Sequence, residues 1–178
     1  MKTEMDKIWG KKDSPEQIHL KTIHAQCKWV EFAASFEGTD NPSPELKSAF
    51  HSMWIELGGF IRSCINDDKK LLHVLRTLLP AYDGESLIVY RGENLDRYNQ
   101  GVIGFCWTQK KDKALQYAKG LNACGSGGVL LQGLAPPSAI IATADTHPNS
   151  MRLGEYEITV DGSAIKDLQN LEEFPPSH

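Results

Sequence analysis

Glu155 and Glu157 stand one residue apart in Gly154-Glu155-Tyr156-Glu157-Ile158-Thr159-Val160, a stretch that otherwise reads as a strand. Side chains alternate along a strand, so both carboxylates fall on one face and Tyr156 and Ile158 on the other. Two like charges on one face repel each other and resist burial. Beside a sugar, such a pair can divide its chemistry. One carboxylate stabilises an oxocarbenium-like transition state and holds a hydroxyl. A second, two residues earlier, acts as general base toward an incoming nucleophile. Both roles need a rigid strand beneath the side chains.

Two upstream pieces carry groups that suit the same chemistry. In Tyr90-Arg91-Gly92-Glu93, Arg91 ends an apolar run and precedes a glycine. Its planar guanidinium suits bidentate binding of a phosphate or a ribose-linked oxygen; a salt bridge to Glu93 or Glu85 is the plainer use. In Phe105-Cys106-Trp107-Thr108, followed by Lys113-Ala114-Leu115-Gln116-Tyr117-Ala118, a strand runs into a helix to make a compact βα unit. Thr108 can hydrogen-bond a nearby carboxylate, and Trp107 can wall an aromatic ligand. The plainer roles are Trp107 in the core and Thr108 capping the helix that follows.

The order of an arginine, a hydroxyl-bearing strand end and Glu-x-Glu resembles the arginine–serine–glutamate class of ADP-ribosyltransferases. That family binds NAD and cleaves its nicotinamide–ribose bond. Arg91 in Tyr-Arg-Gly resembles the family's NAD-contacting arginine, with Gly92 beside it. Cys106-Trp107-Thr108 sits where the family has Ser-Thr-Ser or Ser-Trp-Thr, and Ala114 and Tyr117-Ala118 match the next helix. Glu157 resembles the catalytic glutamate that holds the ribose hydroxyl. Glu155 resembles the first residue of Glu-x-Glu, which accompanies transfer to arginine side chains. Tyr117 is a weaker match for a residue lining the nicotinamide pocket. One position departs: the family's first serine, which positions the glutamate, is Cys106 here. A thiol is a weaker donor, leaving Glu157 looser or held by Thr108.

The resemblance spans Leu87 to Asp161 and implies a mono-ADP-ribosyltransferase with NAD as substrate, a protein acceptor and no metal. The same residues leave open an NAD glycohydrolase, or a catalytically weak NAD- or partner-binding module. The implied fold is α+β, with N-terminal helices packed on a split antiparallel β-sheet core.

The elements that must position these residues change character along the chain. Residues 1–82 read as helices. Ser14-Pro15-Glu16-Gln17 has the serine cap, first-turn proline and third-position glutamine of a helix start. The stripe Ala25, Trp29, Phe32 and Phe36 predicts one helix running to Gly38. Ser43-Pro44-Glu45 starts a second, with apolar positions Leu46, Phe50, Met53, Leu57, Phe60 and Cys64. Within it, Gly58-Gly59 marks a kink or a close helix crossing. A third from about Asp67 carries Leu71, Leu75 and Leu78 and ends at Pro80. Residues 83–162 read as strands at 86–90, 102–108, 129–134, 139–143 and 155–161, with a helix at 112–119; the loop 144–153 is placed to meet a substrate or target. Residues 163–178 read as a tail. Helices followed by strands, without a βαβ repeat, predict an α+β domain.

Composition narrows the function classes. The chain has 178 residues, 40% hydrophobic and 24% charged, with a formal net charge of −4. That describes a globular protein, most simply one domain. The acidic balance and the lack of a basic block disfavour nucleic acid as a partner. No signal-like or membrane-spanning run is visible, which predicts a cytoplasmic protein with no membrane association. The four cysteines, Cys27, Cys64, Cys106 and Cys124, are scattered and read as reduced thiols. His24 and Cys27 share an apolar helix face and read as packing groups, not metal ligands.

Overall fold

The computed structural model describes residues 13–36, 41–146 and 156–177. The chain forms two compact units that divide between Leu79 and Pro80. Among the described residues there are six α-helices and one six-stranded antiparallel sheet, which makes the protein α+β. No helix is long and apolar enough to cross a membrane, among the described residues.

The first unit holds four helices, α1 (Pro15–Ala25), α2 (Trp29–Ala34), α3 (Pro44–Ile65) and α4 (Asp68–Leu78). The capping box at Ser14 forms as its sequence requires: Ser14 Oγ accepts from Gln17 N, and Gln17 Oε1 accepts from Ser14 N. The helix expected to run through Phe36 is broken. Cys27 takes the left-handed conformation (φ 52°), its N–H donates to His24 O, and Lys28 N–H donates to Ile23 O. These are the two bonds of a Schellman cap, with cysteine where glycine is usual. The break turns Trp29, Phe32 and Phe36 into an aromatic cluster with Phe50, ring centroids lying 4.9–6.3 Å apart.

α3 passes Gly58-Gly59 without interruption. A Cβ on Gly58 would press on the Trp54 ring at 3.2 Å, so the glycine makes room for a buried indole. The buried face of α3 is also displaced from the expected stripe. It centres on Phe50, Trp54, Gly58, Ile61 and Ile65, while Phe60 is exposed. Apolar residues cover more than one stripe of this helix, and periodicity alone does not say which stripe carries the bulkiest group. In α4, Leu71, Leu75 and Leu78 are buried as expected, and Asp67 caps the helix through Lys69 N and Lys70 N.

The second unit is built on the sheet, in the order β4-β5-β2-β1-β3-β6. Its strands are β1 (Leu87–Asn94), β2 (Cys106–Thr108), β3 (Gly128–Ala135), β4 (Ile140–Ala142), β5 (Glu157–Val160) and β6 (Lys166–Phe174). β1 and β3 pair along their whole length, from Leu87 opposite Ala135 to Asn94 opposite Gly128. β2 and β1 meet at one pair, Tyr90 opposite Thr108. The sheet is therefore two three-stranded halves hinged at that pair.

Two elements go beyond the sequence reading. α5 (Leu95–Asn99) follows β1 directly, started by Asn94, whose side chain accepts from Arg97 N. Residues 166–174, expected as tail, form the edge strand β6 against β3. Its side chains are exposed except for Phe174, so no apolar alternation announces it; backbone pairing and the Phe174 anchor hold it.

α6 (Lys111–Lys119) lies on one face of the sheet, where Ala114 and Ala118 pack with Leu130, Phe174 and Tyr90. Its approach is so close that a Cβ on Gly92 would overlap Ala114 O and Ala118 N, and one on Gly128 would overlap Ala118 O. The opposite face carries the apolar core of Val89, Trp107, Val129, Leu131, Ile158 and Val160.

Candidate functional site

Strand pairing decides which of the candidate residues meet. Directly opposed residues of antiparallel strands share a face. Tyr90 opposes Thr108 on β2, and Thr108 opposes Glu157 on β5. Tyr90, Thr108 and Glu157 therefore form a row across three adjacent strands at the hinge of the sheet. Cys106, two residues from Thr108, shares that face and opposes Thr159. Gly92 lies one step along the same face, beneath α6. Tyr117 projects from α6 and is 39% exposed.

In the row, Glu157 is the first residue of β5 and its Oε1 is buried. Thr108 is buried, and its hydroxyl oxygen accepts from Lys110 N at 3.1 Å. That bond closes a turn ahead of α6 and does not cap it, since the N-cap residue is Lys110 and no side chain caps the helix; it also does not consume the hydroxyl proton. The register places Thr108, not Cys106, across from the glutamate. Just before the row, Tyr156 has a left-handed backbone (φ 48°), and Lys110 Nζ sits 5.3 Å from its ring centroid. An aromatic residue at positive φ is uncommon and carries a local energetic cost.

This conformation removes the premise that set Glu155 and Glu157 on one face. The chain is not extended at Tyr156, and the strand begins only at Glu157. Glu155, and all but Ala144–Thr146 of the loop at 144–153, lie outside the described residues.

Arg91 and Trp107 fall on the other face. Trp107 is 2% exposed within the apolar core, and its indole N–H donates to Gly104 O at 3.0 Å. That is the core role; the ring walls no open site. Arg91 Nε donates to Glu93 Oε2 at 2.7 Å, and Nη1 donates to Cys106 O. Glu93 is fully buried. Besides Arg91 it takes Gly104 N–H and Asn94 N–H, each at 2.9 Å, and Arg97 Nε lies 3.3 Å away. Burial pushes the Glu93 carboxyl up, but Arg91, by charge and hydrogen bond, then Arg97 and the Asn94 N–H outweigh it and leave the value below the ordinary one. A carboxylate so enclosed would be costly alone and is stable because each oxygen is answered.

The network has a mechanical consequence. Through Arg91 and Glu93, β1 grips Gly104 and Cys106, the entry to β2, and so fixes the height at which Thr108 meets Tyr90. The sequence names Glu93 only as a possible partner for Arg91. Its spacing of two residues along a strand was the available signal, since that spacing puts both on one face. Tyr90 was likewise overlooked as a site residue, although alternation sets it opposite to Arg91.

Among the described residues, no group of three or more His, Cys, Asp or Glu side chains forms a metal-ligand set. No family model, curated protein or solved structure matches the chain.

Proposed function

We propose that this protein is a mono-ADP-ribosyltransferase that takes NAD as substrate and passes ADP-ribose to a protein side chain. The observation that carries the reading is the row Tyr90–Thr108–Glu157, which gathers the three motifs of the resemblance on neighbouring strands.

In this reading the nicotinamide ribose lies against Glu157. As the bond from ribose to nicotinamide breaks, its electron pair leaves with nicotinamide and positive charge develops on the sugar. The Glu157 carboxylate answers that charge and accepts a hydrogen bond from a ribose hydroxyl. The Thr108 hydroxyl, directly across, orients the carboxylate in place of the serine for which Cys106 stands. Tyr90 and Tyr117 offer aromatic surface on the same side of the sheet. Arg91 acts first by locking β2 to β1. Contact between its guanidinium and the dinucleotide phosphate, as the resemblance implies, requires the ligand to reach past the hinge to a side chain 12% exposed. Glu155 is assigned the acceptor, as base toward an arginine nucleophile. A developing cation is stabilised by carboxylates, so the step needs no metal.

The test is nicotinamide release from NAD, with a protein mixture and with buffer alone. Wild type is expected to release nicotinamide and to label protein. Glu157→Gln should fall by roughly 10²–10³-fold, the usual cost of losing one preorganised electrostatic group, with its melting temperature unchanged. Release equal in both proteins, or in neither across many acceptors, would overturn the reading. Release without protein labelling would make water the acceptor.

A further inference from the structure

The four cysteines look scattered along the chain, yet the fold of the helical unit brings two of them together. Cys27 Sγ and Cys64 Sγ lie 2.7 Å apart although the residues are 37 apart in sequence. That is closer than two nonbonded sulfurs ordinarily approach, and well under an ångström of movement separates it from a disulfide of ~2.05 Å. Both lie at helix ends. Cys27 is the left-handed residue that ends α1, and Cys64 is in the last turn of α3, just before left-handed Asn66. We propose that Cys27 and Cys64 form a site of reversible oxidation, closing to a disulfide that staples the α1–α2 corner to the end of α3.

The two sulfurs are not equivalent. Cys27 is exposed and Cys64 is partly covered. Loss of hydration, followed by its hydrogen bond and charge coupling with Cys27, pushes the Cys64 thiol up to about 11. Cys27, the exposed sulfur, is the one that meets an oxidant first, and the partly covered Cys64 follows. With a small organic disulfide as oxidant, the Cys27 thiolate attacks one of its sulfurs and expels one thiolate. Cys64 then gives up its proton, attacks Cys27 Sγ of the mixed disulfide and expels the second thiol. Two protein thiols lose two electrons, and the oxidant is reduced to two thiols.

The closed loop takes in about half of the helical unit, residues 27–64 of 1–79, so the cross-link removes much of the freedom of that stretch in the unfolded chain. A loop of this length raises the melting temperature by on the order of 10 °C.

The test uses the full chain incubated with glutathione disulfide, then alkylated and digested without reduction. The expected product is a linked peptide pair containing Cys27 and Cys64, lighter than the separate peptides by two hydrogens. The melting temperature should rise on oxidation and fall back with dithiothreitol. Cys27→Ser and Cys64→Ser should each lose the shift, and Cys124→Ser should keep it. Complete alkylation of both thiols after oxidation would overturn the proposal. So would glutathione remaining on Cys27, or a melting shift that survives in Cys27→Ser.

Discussion

The two faces of the sheet treat neighbouring residues in opposite ways. On one face, Arg91, Glu93 and Trp107 are sunk in or against the apolar core, and their polar atoms are spent on Gly104, Cys106 O and Asn94 N–H. On the other, Tyr90, Thr108 and Glu157 line up across three strands. Residues adjacent in sequence, such as Tyr90 and Arg91 or Trp107 and Thr108, are divided between them. A motif of consecutive residues on a strand cannot deliver all its side chains to one site. In the proposed reading, one half acts on a ligand, and the other fixes where the first half stands.

If the faces divide the work in this way, substitutions on the buried face should change stability far more than chemistry. Glu93→Ala is the sharpest test, because it leaves Arg91 enclosed without its counter-charge. Loss of about 3 kcal/mol in urea unfolding is expected; a loss below about 1 kcal/mol would show that the network holds little. Glu93→Gln sharpens the point through pH. The native carboxyl is held below its ordinary value, so its contribution is complete above an unfolded-state value of about 4.3 and is lost as pH falls through the folded one. Wild type should lose stability below about pH 4 more steeply than Glu93→Gln. Parallel acid limbs in the two proteins would contradict this.

Gly92→Ala probes the join between β1 and α6. A methyl group there meets helix backbone, not a movable side chain, so a cost of roughly 1–3 kcal/mol is expected by thermal or urea unfolding. No loss would mean that α6 can rise off the sheet. The smallest effect belongs to Trp107→Phe. It removes the bond to Gly104 O and part of a ring, for about 1–2 kcal/mol, and should leave the KM for NAD within about twofold. A large rise in KM with unchanged stability would put Trp107 back against the ligand.

How much of this was legible in the sequence differs from element to element. Capping signals are local chemistry, so Ser14, Ser43 and Asp67 all start helices. The Leu71, Leu75 and Leu78 spacing identified the buried face of α4, because the helix has only one apolar stripe. α3 has more than one, and the position of Trp54 decided the outcome. Nothing local marks Cys27 as left-handed, since cysteine has no preference for that conformation; the break follows from packing the aromatic cluster. β6 was invisible because an edge strand exposed on both faces has no period to detect. The strands bearing Arg91, Thr108 and Glu157 were foreseen, but their faces depend on register, which only pairing fixes. Thus Thr108 opposite Glu157 could be named as an alternative from sequence, while the burial of Trp107 and the Glu93 network emerged from the fold.

The most direct measurement of the central claim is a crystal structure of the full chain soaked with NAD or a non-hydrolysable analogue. The expected result is the nicotinamide ribose on the Tyr90–Thr108–Glu157 face, with a ribose hydroxyl in hydrogen-bond reach of the Glu157 carboxylate. A dinucleotide bound elsewhere, or no bound dinucleotide at saturating concentration, would contradict it.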